Sequence, residues 1–183
     1  NGREQREPNE WGAISSWAWG LSRILDHLEA GTVPEIDLSK VCLVGHSRLG
    51  KTALWAGAQD ERFKVICASG SGCMGIALSR RCFGETVELI NDRFPHWFSN
   101  NFRRYNAKEH EIPIDQHELV GLIAPRPVYI SSANRDLWAD PLGGYRSLQA
   151  ASRVYEFLGT EGFQGPKEPQ IEQPVYSVLG HHV

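Results

Sequence analysis

Methionine occurs once and cysteine four times in the 183 residues, and no apolar run approaches the roughly 20 residues that cross a bilayer. Four irregularly spaced cysteines exclude a disulfide scaffold and a zinc site. Basic charge is also short. Nineteen Lys and Arg against 22 Asp and Glu leave a net charge of −3 and a pI near 6.2, which removes the electrostatic case for nucleic acid or an anionic membrane surface as a partner. The N-terminus lacks the basic, apolar and small-residue succession of a signal peptide; it opens on Asn1 rather than Met, which is compatible with a targeting segment upstream. What is present is a soluble globular composition, 41% apolar and 22% charged, long enough for one domain with a real core.

Trp11 to Leu28 carries Ile14, Trp17, Leu21, Ile24, Leu25 and Leu28 at helical spacing, which predicts a helix with one buried face, ending near Gly31 and Pro34. Val41 to Gly45 is a short, nearly all-apolar run, as expected of a parallel strand covered on both faces. Leu49 to Ala58 reads as a helix, Val65 to Ser69 and Val128 to Ser132 as strands, Tyr145 to Leu158 as a helix and Val175 to Leu179 as a last strand. Strands alternating with helices predict an α/β fold built on a parallel sheet. Cys42 and Cys67 lie inside the strand runs and are expected to be buried as small hydrophobes, whereas Cys73 and Cys82 remain open to pairing with each other or outside the chain. From Gly70 to Pro113 periodicity gives way to Gly, Arg, Asn and aromatic residues, and so long an irregular stretch in a compact domain is usually functional.

The strongest local signal is Val41-Cys-Leu-Val-Gly-His-Ser47-Arg48-Leu-Gly50-Lys51. A serine on a sharp turn between a buried strand and a helix lifts its hydroxyl above the carboxyl end of the sheet, and small neighbours let the chain turn. The helix N-terminus adds positive potential where an oxyanion would form. The second glycine comes three residues after the serine, giving G-x-S-x-x-G rather than G-x-S-x-G. The competing reading is an ordinary strand-to-helix loop whose Ser47 caps the helix; a phosphate-binding loop fits less well, with four residues between its glycines instead of five.

Gly45-His-Ser47-Arg48-Leu-Gly50-Lys51, with Ala53 and the run Ala56 to Phe63, resembles the elbow of the glucuronoyl esterases (4-O-methyl-glucuronoyl methylesterases), whose pattern is G-x-S-R-x-G-K. Further matches follow in order: Ser69 to Gly72, Arg80-Arg81, Gly84-Glu85-Thr86 with Ile90-Asn91, Phe94-Pro-His-Trp-Phe98, and Asp136-Leu-Trp138-Ala-Asp140-Pro141. The resemblance, closest to bacterial members, implies an α/β-hydrolase fold of which residues 1–183 form the C-terminal portion of a single catalytic domain, incomplete at both ends. Only 46 residues precede Ser47, whereas the elbow of this fold normally follows the fifth strand, so the first half of the sheet is expected to lie outside the chain.

A nucleophilic serine needs a histidine to take its proton and a carboxylate to orient that histidine. Asp136 follows the Val128 strand, the place for the acid in the order Ser, acid, His, although a solvated loop aspartate is the plainer alternative. Fungal-like members carry a Glu after the strand that follows the elbow; here Ala68 to Cys73 holds no carboxylate, which favours Asp136. Asp140, beside Pro141, reads as a turn or helix-capping residue. The resemblance implies that Arg48 joins the oxyanion hole and that Lys51, Glu85 and Trp138 hold the sugar. Arg80 and Arg81 fit either a uronate or surface pairing. His182 aligns with a first histidine after the last strand and is a doubtful base, since the family's base follows it and would fall past Val183. The implied substrate is a glucuronoxylan or lignin-carbohydrate ester, with no metal or organic cofactor, no nucleic-acid or membrane partner, and a secreted or periplasmic location. The alternatives are an acetylxylan or other small-ester esterase, and a non-catalytic carbohydrate-binding relative.

Overall fold

In the computed structural model, which describes residues 6–31, 33–168 and 175–177, the three apolar runs form adjacent parallel strands. They are β1 (Cys42–His46), β2 (Val65–Ser69) and β3 (Val128–Ser131), joined by β4 (Val175–Ser177) antiparallel to β3, in the order β1-β2-β3-β4. The sheet is therefore mostly parallel, with β4 the antiparallel exception. The helices are α1 (Ala13–Glu29), α2 (Arg48–Gln59), α3 (Val87–Arg93), α4 (Gln116–Gly121) and α5 (Pro141–Phe157).

The core lies on one face of the sheet. Leu43 of β1, Ile66 and Ala68 of β2, and Val128 and Ile130 of β3 pack in one cluster with Leu25 of α1, Leu54 of α2, Val120 of α4, and Leu148 and Tyr155 of α5. The other face is open among the described residues, and this corrects two expectations. Val44 is 81% exposed and Cys42 is exposed too, while Cys67 is half-buried, so neither cysteine is a fully buried hydrophobe. A continuous apolar run shows that a strand can be covered twice; the helices described here cover it once. Likewise, the buried stripe of α1 is Ile14, Ala18 and Leu25, with Leu21 and Leu28 packed beside it, whereas Trp17 and Ile24 are exposed. All four cysteines are free thiols, Cys73 buried and Cys82 exposed, so the open Cys73–Cys82 pairing does not form.

Arg62 ties α1 to the end of α2. Its guanidinium donates to Asp26 at 2.8 Å, Glu29 at 2.7 Å and Asp60 at 2.6 Å. Hydrogen bonds from Arg62, opposed by some desolvation, hold the Asp60 carboxyl down at about 2. A carboxyl held below its unfolded value contributes its full stability above that unfolded value, and the contribution is lost as pH falls through the folded one. Arg62→Ala is therefore expected to destabilise by about 1–2 kcal/mol near neutral pH, after allowance for solvent screening at this partly exposed side chain. The deficit should narrow as pH falls from about 4 toward 2, which urea melts of parent and variant would read.

Candidate active site

Two glycines make the turn after β1 possible. A Cβ on Gly45 would lie 2.1 Å from the Leu49 carbonyl oxygen, and one on Gly50 would lie 2.9 Å from Ser71 Cβ. The chain closes so tightly on itself that neither position has room for a side chain, and this explains the spacing G-x-S-x-x-G. Between them Ser47 adopts φ 55° and ψ −124°, a left-handed region costly for a residue with a Cβ. Its backbone N–H donates to Ser69 O at 2.8 Å, and its own carbonyl accepts from Gly50 N and Lys51 N. The hydroxyl makes no capping bond to α2, so Ser47 is not a helix-capping serine. It stands at the positive end of a twelve-residue helix.

An open cleft of about 160 Å³ lies against this turn. Ser47, Arg48, Lys51, Glu85, Asp136 and Trp138 all border it, so six of the seven residues singled out in the sequence meet at one place. His182 lies outside the described residues. The aperiodic stretch supplies the floor and one wall: Gly70 and Gly72, both at positive φ, Glu85, and the stacked pair Phe94 and Trp97, whose ring centres are 3.8 Å apart.

Lys51 is buried beneath the cleft, and its ammonium donates to Ser71 O at 2.6 Å, Cys73 O at 2.7 Å and Glu85 Oε2 at 3.3 Å. All three donors are thus engaged, which satisfies a charge that would otherwise be costly to bury. Among the described residues Glu85 Oε1 accepts no hydrogen bond, so Glu85 keeps a spare acceptor whereas Lys51 has no spare donor. Burial pushes the neighbouring Cys73 thiol up to about 12, so it is inert as a nucleophile at neutral pH. Glu85 is fixed from the other side as well. Its N–H donates to Trp138 O at 2.9 Å, and Gly84, at φ 69°, leaves no space for a Cβ against the Leu137 and Trp138 carbonyls.

Asp136 begins the short 3-10 turn Leu137–Ala139 and accepts from Ala139 N at 3.2 Å through Oδ1. A Cβ on Gly70 would lie 4.0 Å from its Oδ2 and 3.2 Å from His46 Cε1, so carboxylate and imidazole both border Gly70. Of the two carboxylates on the cleft, Glu85 is engaged by Lys51 and Asp136 has no ion pair among the described residues. Asp140 stays out of the cleft. It sits at φ 49°, caps α5 through Gly143 N at 2.9 Å and pairs with Arg81 Nε at 2.8 Å. Arg80 donates to Ile112 O at 2.7 Å, so both arginines of that pair are held by the protein. His46, Phe94 and Trp97 border the cleft without a role read from the sequence; the aromatic density after Gly70 was the available signal for the last two. Among the described residues no cluster of His, Cys, Asp and Glu could hold a metal ion.

The profile of the fungal glucuronyl esterases matches residues 6–159. This chain belongs to the glucuronyl esterase family. A carbohydrate esterase from an unknown prokaryotic organism is 52% identical over 177 residues, 97% of this chain and 40% of that protein. The 4-O-methyl-glucuronoyl methylesterase of Phanerochaete carnosa is 37% identical over 163 residues, 84% of this chain and 39% of that protein. Among solved structures, a promiscuous esterase from a marine bacterial metagenome superimposes with a TM-score of 0.85 at 53% identity, covering 92% of this chain and 42% of that one. The sheet and helices are thus those of the α/β-hydrolase fold, and the chain spans about two-fifths of the length of the relatives it matches.

Proposed function

We propose that residues 1–183 form part of one catalytic domain of a serine esterase that cleaves esters of 4-O-methyl-glucuronate, in a glucuronoxylan or a lignin-carbohydrate linkage. The observation that carries this reading is the strained, uncapped Ser47 between β1 and α2, set in one cleft with Arg48, Glu85, Asp136 and Trp138. Ser47 Oγ attacks the uronate carbonyl carbon while a histidine takes its proton. Asp136, through its free Oδ2, orients that histidine, which follows β4 in chain order; family order puts it beyond His182. The N–H of Arg48 is unsatisfied by helix geometry, and with the guanidinium it stabilises the tetrahedral oxyanion. Collapse returns the proton to the departing alcohol, and water then releases free glucuronate from the serine ester. No step needs a metal or an organic cofactor.

The acyl group is held by Glu85 Oε1, which accepts from a sugar hydroxyl, by Lys51 after exchange of one carbonyl contact, and by Trp138 at the side. A polymeric substrate also supports a secreted or periplasmic location; no helix among the described residues is long and apolar enough to cross a membrane. The test compares the full-length protein on benzyl glucuronate and on an acetyl ester of a sugar. The uronate ester should be hydrolysed with at least about 100-fold higher kcat/KM, since acetate offers no ring hydroxyls for Glu85 Oε1 and Lys51 to hold. Preference for the acetyl ester would replace the substrate class, and uronate binding without turnover would make this a carbohydrate-binding relative.

A further inference from the structure

Arg93 ends α3 directly before the Phe94 and Trp97 wall. Its guanidinium carbon lies 4.5 Å from the centre of the Trp138 ring, and Trp138 borders the cleft. Arg93 is exposed, and its side chain makes no hydrogen bond or ion pair to any described residue. Arg62, Arg80, Arg81 and Arg126, by contrast, are each anchored on carbonyl or carboxylate oxygens. Contact with an indole restrains a guanidinium without consuming its N–H fork, which stays available for a planar anion. Among the described residues neither carboxylate of the cleft pairs with Arg93: Glu85 is engaged by Lys51, and Asp136 makes no ion pair. The rim therefore carries an unspent cation on a chain of net charge −3.

We propose that Arg93 and Trp138 form an anion-accepting subsite at the rim of the cleft, which binds a carboxylate carried by the substrate outside the ester being cleaved. The inference rests on the esterase reading above. The uronate carboxyl under attack is neutral while esterified and gives Arg93 nothing to pair with before cleavage. A second carboxylate, on the alcohol or on a neighbouring sugar, fits the spare fork.

The test uses the full-length protein and two matched substrate pairs. One pair is benzyl glucuronate and its 4-carboxybenzyl ester. The other is an oligosaccharide-borne glucuronate benzyl ester with and without a second, free uronate. At low ionic strength one anionic ester should exceed its neutral counterpart in kcat/KM by about two- to fivefold, and the pair that shows the effect identifies the source of the carboxylate. Arg93→Gln should abolish the preference and Arg93→Lys retain part of it, with the neutral esters unchanged within about twofold and the preference fading in high salt. If Arg93→Gln changes neutral and anionic esters by the same factor, Arg93 only supports Trp138 and the subsite is overturned. Turnover without any charge preference in the parent overturns the subsite alone; no turnover of any ester overturns the esterase reading and the subsite with it.

Discussion

Ser47→Ala in the full-length protein should lower kcat on benzyl glucuronate by at least about 1,000-fold, or about 4 kcal/mol of transition-state stabilisation. The proposed mechanism routes every bond change through Ser47 Oγ, and no other described residue lining the cleft carries a hydroxyl or thiol. The Cys73 thiol is buried and pushed up to about 12, and Ser71 is fully buried, its hydroxyl accepting from Ile76 N. The residual rate would come from binding and the oxyanion donors alone. The change removes one oxygen and no capping bond, so the melting transition should shift little. Glucuronic acid release within tenfold of the parent, from a variant that melts normally, would show that another group is the nucleophile.

Gly45→Ala should fail for the opposite reason, with the chemistry intact and the scaffold broken. The added methyl would meet backbone, the Leu49 carbonyl oxygen at 2.1 Å and carbon at 2.4 Å, rather than a side chain that can turn away. Relief requires β1 and α2 to separate, and the expected destabilisation exceeds about 3 kcal/mol. Gly20→Ala is the matched control. It lies in α1, where a Cβ meets nothing within 4 Å among the described residues, and should be neutral or stabilise by up to about 1 kcal/mol. Urea unfolding of the three proteins measures both, and near-parent stability of Gly45→Ala would mean that the turn is not as closed as described.

These two positions also show which parts of the molecule were legible in the sequence. The turn was, because its constraint is local: strand, glycine, serine and helix leave few conformations; the displaced second glycine was legible only through resemblance, since Gly50 is held small by Ser71, which lies far along the chain. Asp136 beside Ser47 was legible from its place after the Val128 strand, whereas Glu85 and Trp138 were legible only through resemblance, since no spacing in the chain reveals that Glu85 N meets Trp138 O. The exposure of Val44, Trp17 and Ile24 was not legible, because apolar character says what can be buried and not what is there to bury it. The saturation of Lys51 by two carbonyls and a carboxylate was equally hidden; a lysine in a helix reads as solvated until the loop above it is placed.

Lys51 lies in α2 three residues after Arg48, which opens the helix, about 4.5 Å of rise, and Glu85 is anchored on its ammonium. Ser47 at the head of α2 and Glu85 held on Lys51 within it are therefore both referred to one helix, like two marks on a gauge. In the proposed reaction an acyl group would be measured against that interval from its carbonyl to its hydroxyls, and one lengthened by a single methylene would present either the ester or the hydroxyl to the wrong mark.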